Sequence, residues 1–182
     1  MENKPAVKSD MLSTIPSTKP IGKVIGKAMK IPSGTEEHIG SGYSMEHTAE
    51  VKCWNHDSSL SFMLYGVRYQ NGRLIVPLIG TYNIYSFLSL TVGNDVPDGS
   101  DDSSTSMMVK HAMYKYNVKI NHDIELASSI QIRKHPNINN AYVFSSQIDT
   151  LVQLEAGDEI SVKISGVLLF CKENNFFGLR LV

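Results

Sequence analysis

The stretch NGRLIVPLIGTYNIYSFLSLTV, residues 71–92, decides the fold class of this sequence. It opens on Asn71-Gly72, a dipeptide that predicts a two-residue β-hairpin turn, because both residue types tolerate positive φ angles. Gly80 is expected to use a positive φ as a kink. The following residues, Thr81–Val92, are rich in β-branched and aromatic side chains and contain neither Pro nor Gly. That composition favours one long strand.

Alternation along this strand places its side chains on two opposite faces. The first face carries Tyr82, Ile84, Ser86 and Leu88. The second face carries Thr81, Asn83, Tyr85, Phe87 and Ser89. The first set suits the space between two sheets, whereas the second holds two aromatic rings that a solvent-facing surface would not need. A strand that is apolar on both faces is expected to be buried on both, so the second face predicts subunit packing.

The rest of the chain from residue 19 onward reads as short strands separated by turns. Strands are expected at residues 20–27, 51–54, 62–69, 74–77, 107–118, 124–132, 141–154, 159–169 and 176–182. Because roughly ten short strands occur without a helical pattern, the sequence predicts an all-β sandwich or barrel. Residues 1–18 are polar and carry two prolines, so they are expected to form a flexible tether that precedes one domain at 19–182.

Composition and motifs argue against several function classes. Hydrophobic residues make up 42% of the chain and the net charge is −1, which is typical of a globular domain and not of a nucleic-acid binder. No apolar run reaches the length of a membrane span. The histidines show no metal-ligand spacing, and no catalytic triad or nucleophile elbow occurs. We therefore expect no enzyme activity, no metal and no cofactor.

One acidic loop leaves an alternative open. Residues 93–106 contain four carboxylates, at Asp95, Asp98, Asp101 and Asp102, and oxygen ligands of this kind hold calcium. Their spacing does not match an EF-hand and no closing glutamate follows, so a solvated loop is favoured over a calcium site.

Four blocks in order resemble the tumour necrosis factor superfamily. They are Lys19–Ile21 (KPI), Asn71–Ser86 with its NGRLIVP and GTYNIYS segments, Leu154–Ile160 (LEAGDEI) and Phe176–Val182 (FFGLRLV). Together they span residues 19–182. Within the family, Met108-Val109 and Tyr114–Tyr116 (YKY) are most similar to the TNF-related apoptosis-inducing ligand.

The resemblance implies a two-sheet antiparallel jelly roll that assembles as a homotrimer and clusters TNF-receptor-family ectodomains to trigger apoptosis or immune regulation. It also implies an extracellular protein, either secreted or the outer part of a type II membrane protein whose anchor is not in this sequence. The trimer interface is then expected to include Tyr85, Phe87, Phe176, Arg180 and Val182. The alternative is the globular head of a complement-like recognition protein, which shares the jelly roll. Such heads usually follow collagen-like repeats, and residues 1–18 contain none.

Receptor contacts in this family come from loops, which here correspond to residues 30–50, 93–106, 119–123, 133–140 and 170–175. The candidate contact residues are Lys119, Ile120, His122, Arg133, Lys134 and His135. Several members present a Tyr near the end of the fourth strand, where this chain has no aromatic residue. Ile120 is therefore either the apolar substitute for that Tyr or a buried residue at the strand end.

Two further expectations concern charge and cysteine. Three copies of Arg180 near one axis would repel each other. We therefore expect an acidic partner from the same or a neighbouring subunit, with Glu125, Asp149 and Glu155 as the candidates, or else a bound anion or a water cluster. Cys53 and Cys171, the two cysteines of the chain, lie in regions that are close together in the family's fold. A disulfide between them is expected in an exported protein, with two thiols as the alternative.

Overall fold

In a computed structural model, residues 18–27, 48–92, 106–134, 142–165 and 174–182 are described. These residues form twelve β-strands and no helix. The strands are β1 (Ile21–Gly26), β2 (Ala49–Glu50), β3 (Trp54–Asn55), β4 (Phe62–Leu64), β5 (Arg68–Gln70), β6 (Arg73–Ile75), β7 (Gly80–Val92), β8 (Ser106–Asn117), β9 (His122–Lys134), β10 (Tyr142–Leu154), β11 (Glu159–Ser165) and β12 (Phe176–Leu181). In the described part of the chain, no helix is long and apolar enough to cross a membrane.

The strands form two antiparallel sheets. Sheet A has the order β10-β7-β12-β1-β3, with β4 also paired to β1. Sheet B has the order β5-β6-β11-β8-β9, with β2 also paired to β11. Strands that are distant in sequence lie side by side, as β1 and β12 do. This arrangement confirms the predicted two-sheet antiparallel fold.

The core lies between the two sheets and follows the predicted alternation. In β7, Tyr82, Ile84 and Leu88 are fully buried. Sheet B faces them with Met113, Ile160, Val162 and Ile164, each of which is at most 1% exposed. Fully burying an aliphatic or aromatic side chain contributes about 1.5–3 kcal/mol, so these layers hold the sheets together. Trp54 packs against Phe177 with ring centroids 4.8 Å apart.

The hairpin predicted at Asn71-Gly72 is present. Asn71 has φ 49° and Gly72 has φ 87°, which are the two positive angles of a type I′ turn. The turn connects β5 to β6 and sets the register in which Gln70 pairs with Arg73. The dipeptide thus fixed the local geometry as the sequence indicated.

The single strand predicted at residues 62–69 is wrong. Tyr65 and Gly66 adopt φ 55° and 90°, and two successive left-handed residues cannot continue a strand. The chain therefore divides into β4, which pairs with β1 in sheet A, and β5, which pairs with β6 in sheet B. This bend moves the chain from one sheet to the other.

The prediction of a positive φ at Gly80 is also wrong. The glycine has a steric role instead. Gly80 begins β7 and is not among the residues with positive φ. A Cβ atom at this position would lie 2.5 Å from Leu181 Cδ1. The missing side chain therefore gives room for Leu181 of the neighbouring strand β12.

A buried carboxylate fixes the turn before β11. Gly157 has φ 89°, and Asp158 is 0% exposed. The Asp158 carboxylate accepts hydrogen bonds from Glu155 N at 2.8 Å and from the amide of Asn117, and Lys115 Nζ lies 3.5 Å away. A buried carboxylate needs such partners. Because Asn117 and Lys115 belong to β8, these contacts join the end of β8 to the turn before β11. The sequence identified only a turn here.

A buried histidine joins the two sheets. His111 of β8 is 0% exposed, and its ring nitrogens lie 3.0 Å from Ser146 Oγ on β10 and 3.0 Å from Ser86 Oγ on β7. A neutral imidazole can donate from one nitrogen and accept at the other, so both hydroxyls can be satisfied. Burial lowers the pKa of His111 to about 4.

This histidine predicts a pH-dependent stability. The unfolded chain binds a proton at His111 below about pH 6.5, whereas the folded chain does so only near pH 4, so stability falls as pH falls between these values. From pH 7.5 to pH 5 the expected loss is about 2 kcal/mol. Urea denaturation of the wild type and of His111→Gln measures it. The loss should vanish in His111→Gln and persist in the control His56→Gln, whose imidazole is partly exposed.

The cysteines give a second prediction. Cys53, just before β3, is disulfide-bonded, and Cys171 lies outside the described residues, so the expected Cys53–Cys171 pairing stays a prediction. Mass spectrometry of the digested, non-reduced protein should yield one peptide pair that contains both cysteines. Reduction should then lower stability, by up to about 4–5 kcal/mol for so long a loop. Recovery of both cysteines as thiols would exclude the bond.

Candidate assembly face and receptor-contact turn

An aromatic cluster lies at the centre of the outer face of sheet A. Phe87 and Phe176 are stacked with ring centroids 5.6 Å apart, and Tyr85 meets Phe176 edge to face at 6.3 Å. Phe176 pairs directly with Phe87 across β7 and β12, which places their side chains on the same face. All three rings are only partly buried in one copy. Such a cluster is apolar surface that a single copy does not cover.

A glycine makes room for this cluster. Gly178 lies opposite Tyr85 in the β7–β12 ladder and opposite Lys23 in the β1–β12 ladder. A Cβ atom at Gly178 would lie 2.4 Å from Tyr85 Oη, so any other residue here would displace the tyrosine. Lys23 Nζ lies 4.7 Å from the centre of the Phe176 ring, a cation–π contact at the edge of the cluster.

Exposed apolar side chains surround the aromatic cluster. Strand register places Leu64 beside Ile21, whose other neighbour is Arg180. Leu151 lies beside Asn83, on the other side of β12. The exposed apolar residues of this surface are Phe62, Leu64, Val143, Leu151 and Val182. With Tyr85, Phe87 and Phe176 they form what we call the apolar face. A patch this extensive marks an interaction surface.

Two opposite charges lie within the apolar face. Arg180 is exposed and lies opposite Asn83 in the strand register. Asn83 Nδ2 donates a hydrogen bond to Asp149 Oδ1 at 2.6 Å. Burial raises the pKa of Tyr85; the nearby Arg180 acts to lower it and Asp149 to raise it. The charges of Arg180 and Asp149 thus both act on the Tyr85 hydroxyl, which stays protonated at neutral pH.

The outer face of sheet B combines paired charges with exposed apolar side chains at its β8–β9 edge, which are Met108, Ile130 and Ile132. Arg73 contacts Glu50 at 2.9 Å and Asp123 at 3.3 Å, and Lys163 Nζ lies 2.5 Å from Asp123. Lys110 and Tyr114 both bond Glu125, at 2.6 and 2.8 Å. Hydrogen bonds from these two groups lower the pKa of the Glu125 carboxyl. The charged side chains of this surface thus satisfy one another.

The β8–β9 turn holds half of the candidate receptor contacts. Val118, Lys119 and Ile120 are exposed at its tip. Asn117 Oδ1 accepts a hydrogen bond from Lys119 N at 3.0 Å, and the Tyr116 hydroxyl bonds Asn121 Oδ1 at 2.8 Å. These bonds fix the turn so that it presents apolar side chains to solvent.

Ile120 is 51% exposed, so it is not a buried strand-end residue. Its role as the apolar substitute for the family's Tyr stays a prediction. His122 is exposed as well and is the first residue of β9. Val118, which the sequence analysis missed, is 68% exposed two residues before Ile120. The available signal was a second apolar residue close to Ile120 in the same turn.

The remaining predicted contacts are only partly within the described residues. Arg133 and Lys134 were expected in a loop, but they continue β9, where they pair with Met107 and Ser106 of β8. His135 and the acidic residues 95–102 lie outside the described residues. Within the described part of the chain, no group of three or more His, Cys, Asp or Glu side chains could hold a metal ion.

Comparison with known proteins agrees with this geometry. The model of the TNF (Tumour Necrosis Factor) family matches residues 52–182. Over 141 residues the chain is 29% identical to tumor necrosis factor ligand superfamily member 15 of Mus musculus. The aligned residues make up 71% of this chain and 53% of that protein. The chain thus spans about half the length of this relative. Similarity to the apoptosis-inducing ligand stays a prediction. The family match covers most of the two-sheet domain, and the chain belongs to the tumour necrosis factor family.

Proposed function

We propose that this chain is the receptor-binding domain of a homotrimeric, extracellular cytokine that clusters cell-surface receptors of the TNF-receptor family. The observation that carries the proposal is the aromatic cluster on the outer face of sheet A. Sheet A presents aromatic rings that one copy leaves partly exposed, whereas sheet B presents paired charges. Burial of the first face against further copies removes apolar surface from water. The family match favours this proposal over the complement-head alternative.

The proposed mechanism is multivalent binding and requires no chemical reaction. Three identical copies around one axis create three equivalent grooves, each of which holds one receptor. The receptors' intracellular parts are then held close together, which raises their effective concentration. Nothing in this mechanism needs a cofactor or a catalytic residue.

The proposed receptor contact is the β8–β9 turn. Val118 and Ile120 project from it, and Lys119, with 84% of its side chain exposed, lies beside them. Apolar side chains on a rigid, exposed turn can enter a pocket of a partner with little loss of conformational freedom. Arg133, Lys134 and His135 are proposed as a second contact near the end of β9.

The assembly prediction concerns Tyr85. Sedimentation equilibrium of the purified domain at micromolar concentration should give three times the 20.2 kDa mass of one chain. Tyr85→Ala should weaken assembly by about 2–4 kcal/mol, because it removes a packed aromatic ring from the centre of the apolar face. The control Tyr65→Ala removes a tyrosine of the β4–β5 bend, 53% exposed, and should leave assembly unchanged. A monomer at all concentrations would contradict the proposal.

The receptor prediction concerns Ile120. A panel of TNF-receptor-family ectodomains from the source organism, tested in a pull-down, should contain at least one that binds the wild-type trimer. Ile120→Asp should then reduce that affinity about tenfold or more, since it places a charge in an apolar contact. The matched control Leu60→Asp changes another exposed aliphatic residue and should bind normally.

The two failures in this experiment have different meanings. If no ectodomain binds the wild-type trimer, the receptor-binding function is wrong. If an ectodomain binds and Ile120→Asp binds equally well, only the role of the β8–β9 turn is wrong.

A further inference from the structure

We infer that Arg180 of one copy forms an ion pair with Asp149 of the neighbouring copy, so that each interface of the trimer contains one charged pair within an apolar face. This inference rests on the proposed homotrimer and adds an interaction that fixes the relative orientation of neighbouring copies. It concerns residues of this chain that composition and fold leave unexplained.

Arg180 needs a partner when the apolar face is covered. Its guanidinium is exposed and lies on the face that carries Tyr85 and Phe176. Across the described residues it takes part in none of the ion pairs. A charge that loses water without gaining a partner destabilises an interface strongly. When a second copy covers this face, Arg180 therefore needs a carboxylate beside it.

Asp149 offers a carboxylate in a fixed position. Asn83 Nδ2 holds its Oδ1 at 2.6 Å, which orients the group on the outer side of β10 opposite Tyr85. No cation of the described chain segments pairs with it. Its second oxygen thus remains available to a guanidinium, which prefers carboxylates.

The other two candidate acids have a different position and are already engaged. Glu125 lies on β9 in sheet B, where Lys110 and Tyr114 bond it at 2.6 and 2.8 Å. Glu155 follows the end of β10, 3.9 Å from Lys119 Nζ. Of the three, only Asp149 lies on the apolar face, so the structure chooses among the acids that the sequence left open.

Ring symmetry explains why the pair joins two copies. A closed ring of three identical copies uses a heterologous contact, in which one surface of a copy meets a different surface of the next. Asp149 lies on β10 at the edge of sheet A, whereas Arg180 lies on β12 between β7 and β1. The edge of one copy placed on the centre of the next brings these charges together. Exposed Val143 and Leu151 on β10 would cover the aromatic centre in the same contact.

Charge reversal tests the pair. Arg180→Asp and Asp149→Arg should each weaken assembly about tenfold or more, because each places like charges together. The double variant, with both changes, should restore assembly to near the wild-type level. Arg68→Asp and Asp57→Arg make the same reversals at exposed positions elsewhere and should have no effect. Near-ultraviolet circular dichroism of each variant reports whether the subunit itself is folded.

A mixing experiment separates pairing between copies from pairing within one copy. Differently tagged wild-type and double-variant chains are refolded together and captured by one tag. Pairing between copies predicts that the two types do not co-assemble, because every mixed interface places two like charges together. Free mixing would show that the pair lies within one copy and would overturn the inference.

The outcomes also separate this inference from the proposed function. If the wild type is monomeric, the proposed trimer itself fails. If the wild type is trimeric and Arg180→Asp assembles with unchanged affinity, the trimer stands and the Arg180–Asp149 pair is wrong.

Discussion

The structure depends on the burial of β7 on both of its sides. Its inner side chains, Tyr82, Ile84 and Leu88, are fully buried against sheet B, and they contribute much of the contact that holds the two sheets together. Its outer side chains include Tyr85 and Phe87, which one copy covers only in part. A strand of this kind satisfies its apolar surface completely only when a second molecule is added. Folding and the proposed assembly therefore both use the same thirteen-residue strand.

Polar groups determine how the two sheets are aligned, whereas apolar groups supply most of the stability. His111 joins β8 to β7 and β10 through two serine hydroxyls, and Asp158 joins the turn before β11 to the end of β8. A hydrophobic core tolerates small shifts, but a buried hydrogen bond does not, because a buried polar group left without a partner is costly. These two sites therefore hold the sheets in one register. The outer face of β7 then has a fixed shape for assembly.

The two outer faces differ in how their charged side chains are paired. Sheet B neutralises its charges with one another, through Arg73, Lys163 and their carboxylate partners. Sheet A leaves aromatic rings and two separated opposite charges exposed. Side chains that already form an ion pair gain little binding free energy from a second molecule. An apolar face gains binding free energy when a second molecule removes it from water. The turn at Val118–Asn121, which we propose as a receptor contact, extends from β8 and β9 of sheet B. It therefore stays accessible when sheet A is covered.

Local patterns in the sequence determined the strands, the faces of β7 and β12, the Asn71-Gly72 turn and the family, because alternation and turn chemistry act over a few residues. The long strand at 62–69 failed because the prediction passed over Gly66, a residue that marks a bend when it lies inside a strand pattern. Gly80, Asp158 and His111 acquired their roles from atoms far away in sequence: Leu181, Asn117, and the serines Ser86 and Ser146. The choice of Asp149 among three acids likewise needed the sheet order. The sequence by itself determined which side chains each strand presents; only the tertiary structure decided which of them meet, because strand pairing brings together residues that no local pattern relates.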